Sequence, residues 1–172
     1  MLALDMARLE AGFILLEVDY TSAEKALIPA QKYSPFEIGL GWTVSLDKEN
    51  FVGRRALLEE KQRGSPRQLI GLEIDWDDYE RLHQEVGLAP RLPTAAWRGG
   101  IPLYRDNQQV GQATTGGWSP TIKKYIALAT VQGKFSQPGT ELLMEVTVEH
   151  VRKKVRGRIV KPPFFDPPRK RA

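Results

Sequence analysis

The hydrophobic pattern along the chain places its helices before residue 66, and after it the chain is mostly short strands. Residues 2–11, LALDMARLEA, put Leu2, Ala3, Met6, Ala7 and Leu9 on one broad arc, with Asp5 and Arg8 opposite and Gly12 as the stop. A second helix is predicted over about 53–63, released by Gly53. It sets Ala56, Leu57 and Leu58 in register, turns Arg54, Arg55, Glu59, Glu60 and Lys61 to water, and ends at Gly64, Ser65 and Pro66. Between the two helices, residues 13–33 read as a short apolar strand followed by an irregular loop or brief helix over 19–30. In 34–52, Pro35 opens a turn and Gly39 and Gly41 bend the chain. Trp42, Val44 and Leu46 then alternate with polar residues as a strand does. Bends and bulky apolar residues concentrated in one stretch place Trp42 and Gly53 at a seam between two bodies.

After residue 66 the period is two. RQLIGLEI at 67–74 is a strand, as are IPLY at 101–104, VGQATT at 110–115 and IALATV at 126–131. ELLMEVTV at 141–148 and KKVRGRIV at 153–160 read as a hairpin pair. Asp106 and Asn107 mark one turn, and Pro138 and Gly139 sit at the centre of another, with the type II preference. Residues 75–98 are acidic, then Pro-punctuated, without a clear period; they predict a long loop insertion pinned to the barrel by Trp76, Tyr79 and Trp97. Gly116 to Pro120 read as a loop passing close to another surface, with Ser119 capping a short turn. Several short strands with turns between them and no long helix predict a small antiparallel β-barrel.

Composition narrows the chemistry. The chain has no cysteine, which excludes disulfides, thiolate metal sites and a nucleophilic Cys, and His83 is an isolated histidine inside the insertion. Neither catalytic nor metal-ligating residues can be assigned. The net charge of +4, from 25 basic and 21 acidic residues, is mild. The densest basic run, residues 152–161, alternates so that Val155 and Ile159 face inward and the Arg and Lys face water, as in a solvated strand; no nucleic-acid partner is expected. Asp5, Arg8 and Glu10 interrupt any apolar start, so a secretory leader and a membrane span are not expected, and the cytoplasm is the default location.

One residue breaks the pattern. Glu10 falls inside the apolar arc of the first helix, where a carboxylate is costly unless it is bonded. Either a group with donors meets it, an Arg or Lys from elsewhere being the plain case, or the helix is less buried than the pattern suggests.

Three motifs carry a resemblance. D-x-x-R-L-E-A-G at 5–12, P-x-E-x-G-L-G-W-x-V-x-L-D-K followed by F-x-G-R-x-A-L-L at 35–58, and TTGGWSPTIKKYIALATV at 114–131 occur in the order and at roughly the spacing of glycine-cleavage T-proteins. The chain resembles the C-terminal portion of that aminomethyltransferase and folate-binding superfamily. The resemblance implies an α+β protein in which residues 1–63 are a remnant of the folate-binding α+β domain, 67–166 a C-terminal β-barrel and 167–172 a basic tail. It implies tetrahydrofolate as cofactor, with the Glu10 carboxylate accepting two parallel pterin donors, and Lys48 where the family carries a basic residue facing the folate. Lys48 keeps that charge without the fork of an Arg. At the tail, Arg169 stands where some members carry a ligand-contacting Tyr. The family's catalytic aspartate lies before the R-L-E-A-G helix, so the activity is expected to need the missing N-terminal half or a carrier or partner protein. A related branch serving iron–sulfur cluster maintenance carries a Cys before the last helix; Phe51 to Arg55 stand there without one. The alternative is a folate-binding barrel module of an amine dehydrogenase or oxidase, docking on a partner.

Overall fold

The computed structural model describes residues 2–92 and 95–171, and all their side chains except those of Leu2 and Arg171. Six strands close into an antiparallel barrel in the order β1-β4-β3-β2-β5-β6. They are β1 (Arg67–Ile74), β2 (Trp97–Arg105), β3 (Gln108–Ser119), β4 (Lys124–Gln132), β5 (Glu141–Val148) and β6 (Val151–Val160). Closure comes from β1, which pairs with β4 from Arg67↔Gln132 to Ile74↔Tyr125 and with β6 from Gly71↔Val160 to Ile74↔Gly157. The helices are α1 (Leu2–Glu10), α2 (Arg54–Arg63) and α3 (Trp76–Gln84). The protein is therefore α+β with a small antiparallel barrel, as its pattern predicts.

The period-two signal works because each barrel strand has an inner and an outer face. On β6, Val155 and Ile159 are buried inside while Arg152, Arg156 and Arg158 stay outside, answered by Glu145, Asp78 and Glu141 respectively. Strand β4 is buried on both faces from Tyr125 to Val131. Tyr125, Ala127, Ala129 and Val131 enter the barrel core, while Ile126 and Leu128 meet Met6 and Leu9 of α1 in a second, smaller core. A strand covered on both sides reads as an unbroken apolar run. The β2–β3 turn has positive φ at both Asp106 and Asn107, the type I′ geometry that suits strand twist. Gly139 at φ +89° and the Thr140 N–H donating to Gln137 O at 3.1 Å form the type II turn expected there.

Several expectations need correction. The stretch read as a loop insertion holds α3. Asp75 caps it, accepting from Asp78 N at 3.0 Å, and Tyr79, Leu82 and His83 bury one face. Its aromatic residues do pin it: Trp76 lies 4.9 Å from Trp118 and Tyr79 lies 5.4 Å from Tyr125, centroid to centroid. Burial alone would raise the Asp78 carboxyl, but bonds from Arg81 and the Arg156 N–H outweigh it and hold the group below its ordinary range. Gly116 to Ser119 are not a loop but the end of β3. Glycine is needed at 116 because a Cβ there would sit 2.3 Å from the Trp97 ring.

The N-terminal segment also departs from its pattern. Residues 13–20 form a hook closed by a single bridge between Leu16 and Tyr20 rather than a strand. Gly41–Thr43 is a 3₁₀ turn, and no strand follows at Val44 or Leu46, because the closed barrel leaves no edge beside them to pair with. On α1 the buried arc is narrower than predicted: Met6, Leu9 and Glu10 are buried while Ala3 and Ala7 are exposed. On α2, Glu60 is buried instead of wet, since Ser34 and Ser65 each donate a hydroxyl to its Oε1 at 2.6 Å. The segment is tied to β1 by Arg67, whose guanidinium forks onto buried Glu37 at 2.9 and 3.4 Å and stacks 3.8 Å from the Tyr33 ring centroid.

The expected seam at Trp42 and Gly53 is not found among the described residues. Trp42 is 83% exposed, and a Cβ at Gly53 would meet nothing within 4 Å. What Gly53 supplies is a φ of +90° at the start of α2. Gly53→Ala should thus cost about 1 kcal/mol through backbone strain alone. A urea midpoint equal to the wild type's, at unchanged slope, would show that the strain is absent.

Candidate functional site

The end of α1 is where the chain brings buried polar groups together. Met6 and Leu9 seat the helix on β4, and this turns the next residue, Glu10, toward the end of β3. Glu10 is only 8% exposed. Its Oε1 accepts the hydroxyl of fully buried Ser119 at 2.5 Å, and its carbonyl accepts from Phe165 N at 3.0 Å, which fastens the C-terminal segment to the same point. The carboxylate's other oxygen takes no hydrogen bond from any described residue. Among the described residues, the fully buried side-chain polar atoms without a partner are Arg8 Nη2 and Thr130 Oγ1. The alternative of a salt bridge from an Arg or Lys is not realised within the described chain.

One turn earlier, α1 is clamped by a network that the pattern did not reveal. Asp19, in the hook, is 1% exposed. Its Oδ1 accepts from Thr114 and Thr115 of β3 at 2.6 and 2.8 Å, and its Oδ2 accepts from Leu15 N at 2.7 Å and Arg8 at 3.2 Å. Arg8 also donates to Asp5 at 2.9 Å, and Arg98 of β2 reaches the second oxygen of Asp5 at 3.1 Å. Burial would raise the Asp5 carboxyl, but the two guanidinium groups outweigh it and hold it below the ordinary range. The polar face of α1, with Asp5 and Arg8, is therefore covered by the hook and the barrel. Only its sequence distance from Thr114 and Thr115 hid Asp19: it reads as an ordinary loop acid until β3 is placed beside it.

Lys48 lies apart from this cluster. It occupies an exposed bend between the 3₁₀ turn and α2 and makes no hydrogen bond or ion pair with a described residue. Arg169 is likewise exposed, in a 3₁₀ turn spanning Pro168–Arg171. A hollow of about 690 Å³ opens beside the end of α1, walled by Phe13, Ile38, Leu69 and Pro162, with Trp42 and Lys161 also lining it. Phe13, Leu16, Leu27, Ile28, Phe51 and Val52 are also exposed on the N-terminal segment. Among the described residues no helix is long and apolar enough to cross a membrane, and no group of three His, Asp or Glu could hold a metal ion.

Comparison with known proteins gives this geometry a family. The profile described as glycine cleavage T-protein C-terminal barrel domain matches residues 67–166. An aminomethyltransferase of Halalkalibacterium halodurans is 38% identical over 133 residues, covering 77% of this chain and 30% of its own. One of Thermosynechococcus vestitus is 35% identical over 170 residues, covering 99% of this chain and 38% of its own. The solved structure of the glycine cleavage system aminomethyltransferase T from Bartonella henselae superposes with a TM-score of 0.69 at 25% identity, over 94% of this chain and 37% of that one. The chain thus spans 30–38% of the length of these curated relatives. With the barrel matched throughout and relatives that extend over the N-terminal segment as well, the chain belongs to the glycine cleavage T-protein family.

Proposed function

We propose that this chain is the C-terminal portion of a tetrahydrofolate-dependent aminomethyltransferase, taking part in one-carbon transfer to tetrahydrofolate in the cytoplasm. In this reading residues 1–63 complete a folate-binding body, 67–166 are the barrel that backs it and 167–172 a basic tail. Glu10 accepts the pterin's ring N–H and exocyclic amino group, and Lys48 presents a positive charge toward the folate. One observation carries the proposal: a buried carboxylate at the end of α1 is held from behind by a barrel hydroxyl on one oxygen, while no described residue donates a hydrogen bond to the other. A ligand with two parallel donors would use the acceptor positions that the Ser119 bond leaves free. The relatives named above are aminomethyltransferases, which favours this reading over a barrel module of an amine dehydrogenase or oxidase.

In this reading the catalytic machinery belongs to the part of the aminomethyltransferases that the chain, at 30–38% of their length, does not span. The purified chain is accordingly expected to show no one-carbon transfer from aminomethylated carrier protein to tetrahydrofolate. Joined by fusion or co-expression to the folate-binding body of a T-protein, it should bind tetrahydrofolate measurably by calorimetry. Turnover that depends on the isolated chain would contradict the first expectation, and a folded reconstituted protein that fails to bind tetrahydrofolate would contradict the second.

A further inference from the structure

We infer that Ser119 is a positioning residue for the Glu10 carboxylate, so that the barrel sets the geometry of ligand capture without touching the ligand; this rests on the reading that Glu10 meets the pterin. The hydroxyl of Ser119 has one proton to give. The Ile122 N–H can only donate, and it donates to Ser119 Oγ at 3.2 Å, which directs that proton to Glu10 Oε1 at 2.5 Å. Ser119 ends β3, and its neighbours keep the strand end from shifting: Trp118 packs on Trp76, and Ser119 itself is fully buried.

The backbone of Glu10 is fixed independently, by Phe165 N on its carbonyl and by Leu9 buried against Ile126 and Leu128. What remains free in Glu10 is the side chain, whose terminal torsion has a broad, soft minimum. Among the described residues the Ser119 bond is the hydrogen bond that fixes it. A carboxylate offers about four acceptor positions, and Ser119 occupies one of them. Both Oε2 and the second position on Oε1 are then left in one set plane, the arrangement that two parallel donors need. Removing the hydroxyl would leave the acceptor in place but let its plane turn, so affinity would fall through lost preorganisation.

The test uses the chain joined to a T-protein folate-binding body and measures tetrahydrofolate dissociation constants for wild type, Ser119→Ala, Glu10→Gln and the double variant, each at a temperature where far-UV circular dichroism shows it folded. Ser119→Ala should bind about 5- to 20-fold more weakly, since the acceptor is kept and only its preorganised plane is lost. On the Glu10→Gln background the same change should alter affinity less than twofold, whereas a general loosening of the barrel would weaken both backgrounds alike. Ser119→Cys fills nearly the same space with a weak donor and should lose at least threefold, which serves where the alanine variant does not fold. If Glu10→Gln weakens binding while Ser119→Ala or Ser119→Cys stays within twofold of wild type, the positioning role is overturned and the Glu10 assignment stands. If Glu10→Gln itself binds as wild type does, the assignment of Glu10 falls, and the role of Ser119 with it.

Discussion

Glu10→Gln in the reconstituted protein is expected to weaken tetrahydrofolate binding by about 2 to 4 kcal/mol, roughly 30- to 1,000-fold. The change keeps the size of the side chain but removes its charge and replaces one acceptor oxygen with a donor. An amide at this position has two competing demands. Its oxygen must face Ser119, whose proton is committed to this contact by the Ile122 N–H. The amide NH₂ then points outward, donor against the ligand's donors. In the opposite orientation the NH₂ faces the Ser119 hydroxyl, which must then give up its proton contact at the centre of a buried cluster. Either arrangement leaves one donor without an acceptor, which is why the expected loss exceeds that of a single neutral hydrogen bond. Stability in the absence of ligand should change much less. Dissociation constants within about threefold of each other, with both proteins folded, would reduce Glu10 to a partner of Ser119 and remove it from the ligand site.

How much of this could be read from the sequence depended on where each residue's partners lie. Strands β1 and β5 have the limits that their alternation predicts, since a two-residue period between turn signals is a local property. Glu10 stood out for the same reason: helical spacing alone placed a charge among Met6 and Leu9, and burial followed. Helix α3 was missed, although Asp75 as cap, Asp77 and Asp78 in the first turn, and Arg81 and His83 in the last are a local start-and-stop signal. Its short apolar face, Tyr79, Leu82 and His83, was masked by the acidic and proline-rich composition around it. The strand read at Trp42 to Leu46 failed for a non-local reason, because alternation is necessary for a strand but a free edge must be available as well. Gly116 and Gly117 read as a loop because glycine has two uses, conformational freedom and close approach, and only the position of Trp97 tells them apart.

The Asp19 cluster was the least legible and should have the largest effect on stability. Asp19→Ala is expected to destabilise the chain by about 3 to 5 kcal/mol, the range for removing one partner of a buried charged pair. Four donors lose their acceptor at once: the hydroxyls of Thr114 and Thr115, the Leu15 N–H and one arm of Arg8. Thr114 has a second acceptor in the Leu128 carbonyl at 3.3 Å, and Arg8 keeps Asp5 and the Phe13 carbonyl, so those two recover part of the loss. Thr115 and Leu15 have no such alternative among the described residues, and Arg8 already carries a buried Nη2 without a partner. Asp19→Asn should fall between: its oxygen can still serve the two threonines, but its NH₂ would face the Leu15 N–H and the Arg8 guanidinium, donor against donor. Since a domain's whole stability is about 5 to 15 kcal/mol, the alanine variant is expected to sit near the edge of folding. The damage should also be local in a way that thermal unfolding alone does not report. Hydrogen exchange at the Leu15 amide should accelerate before the barrel strands are affected, because the hook is held by Asp19 while β1 to β6 hold one another. An alanine variant within about 1 kcal/mol of wild type, with Leu15 exchange unchanged, would mean that the hook is fastened by its apolar contacts and that the clamp on α1 lies elsewhere.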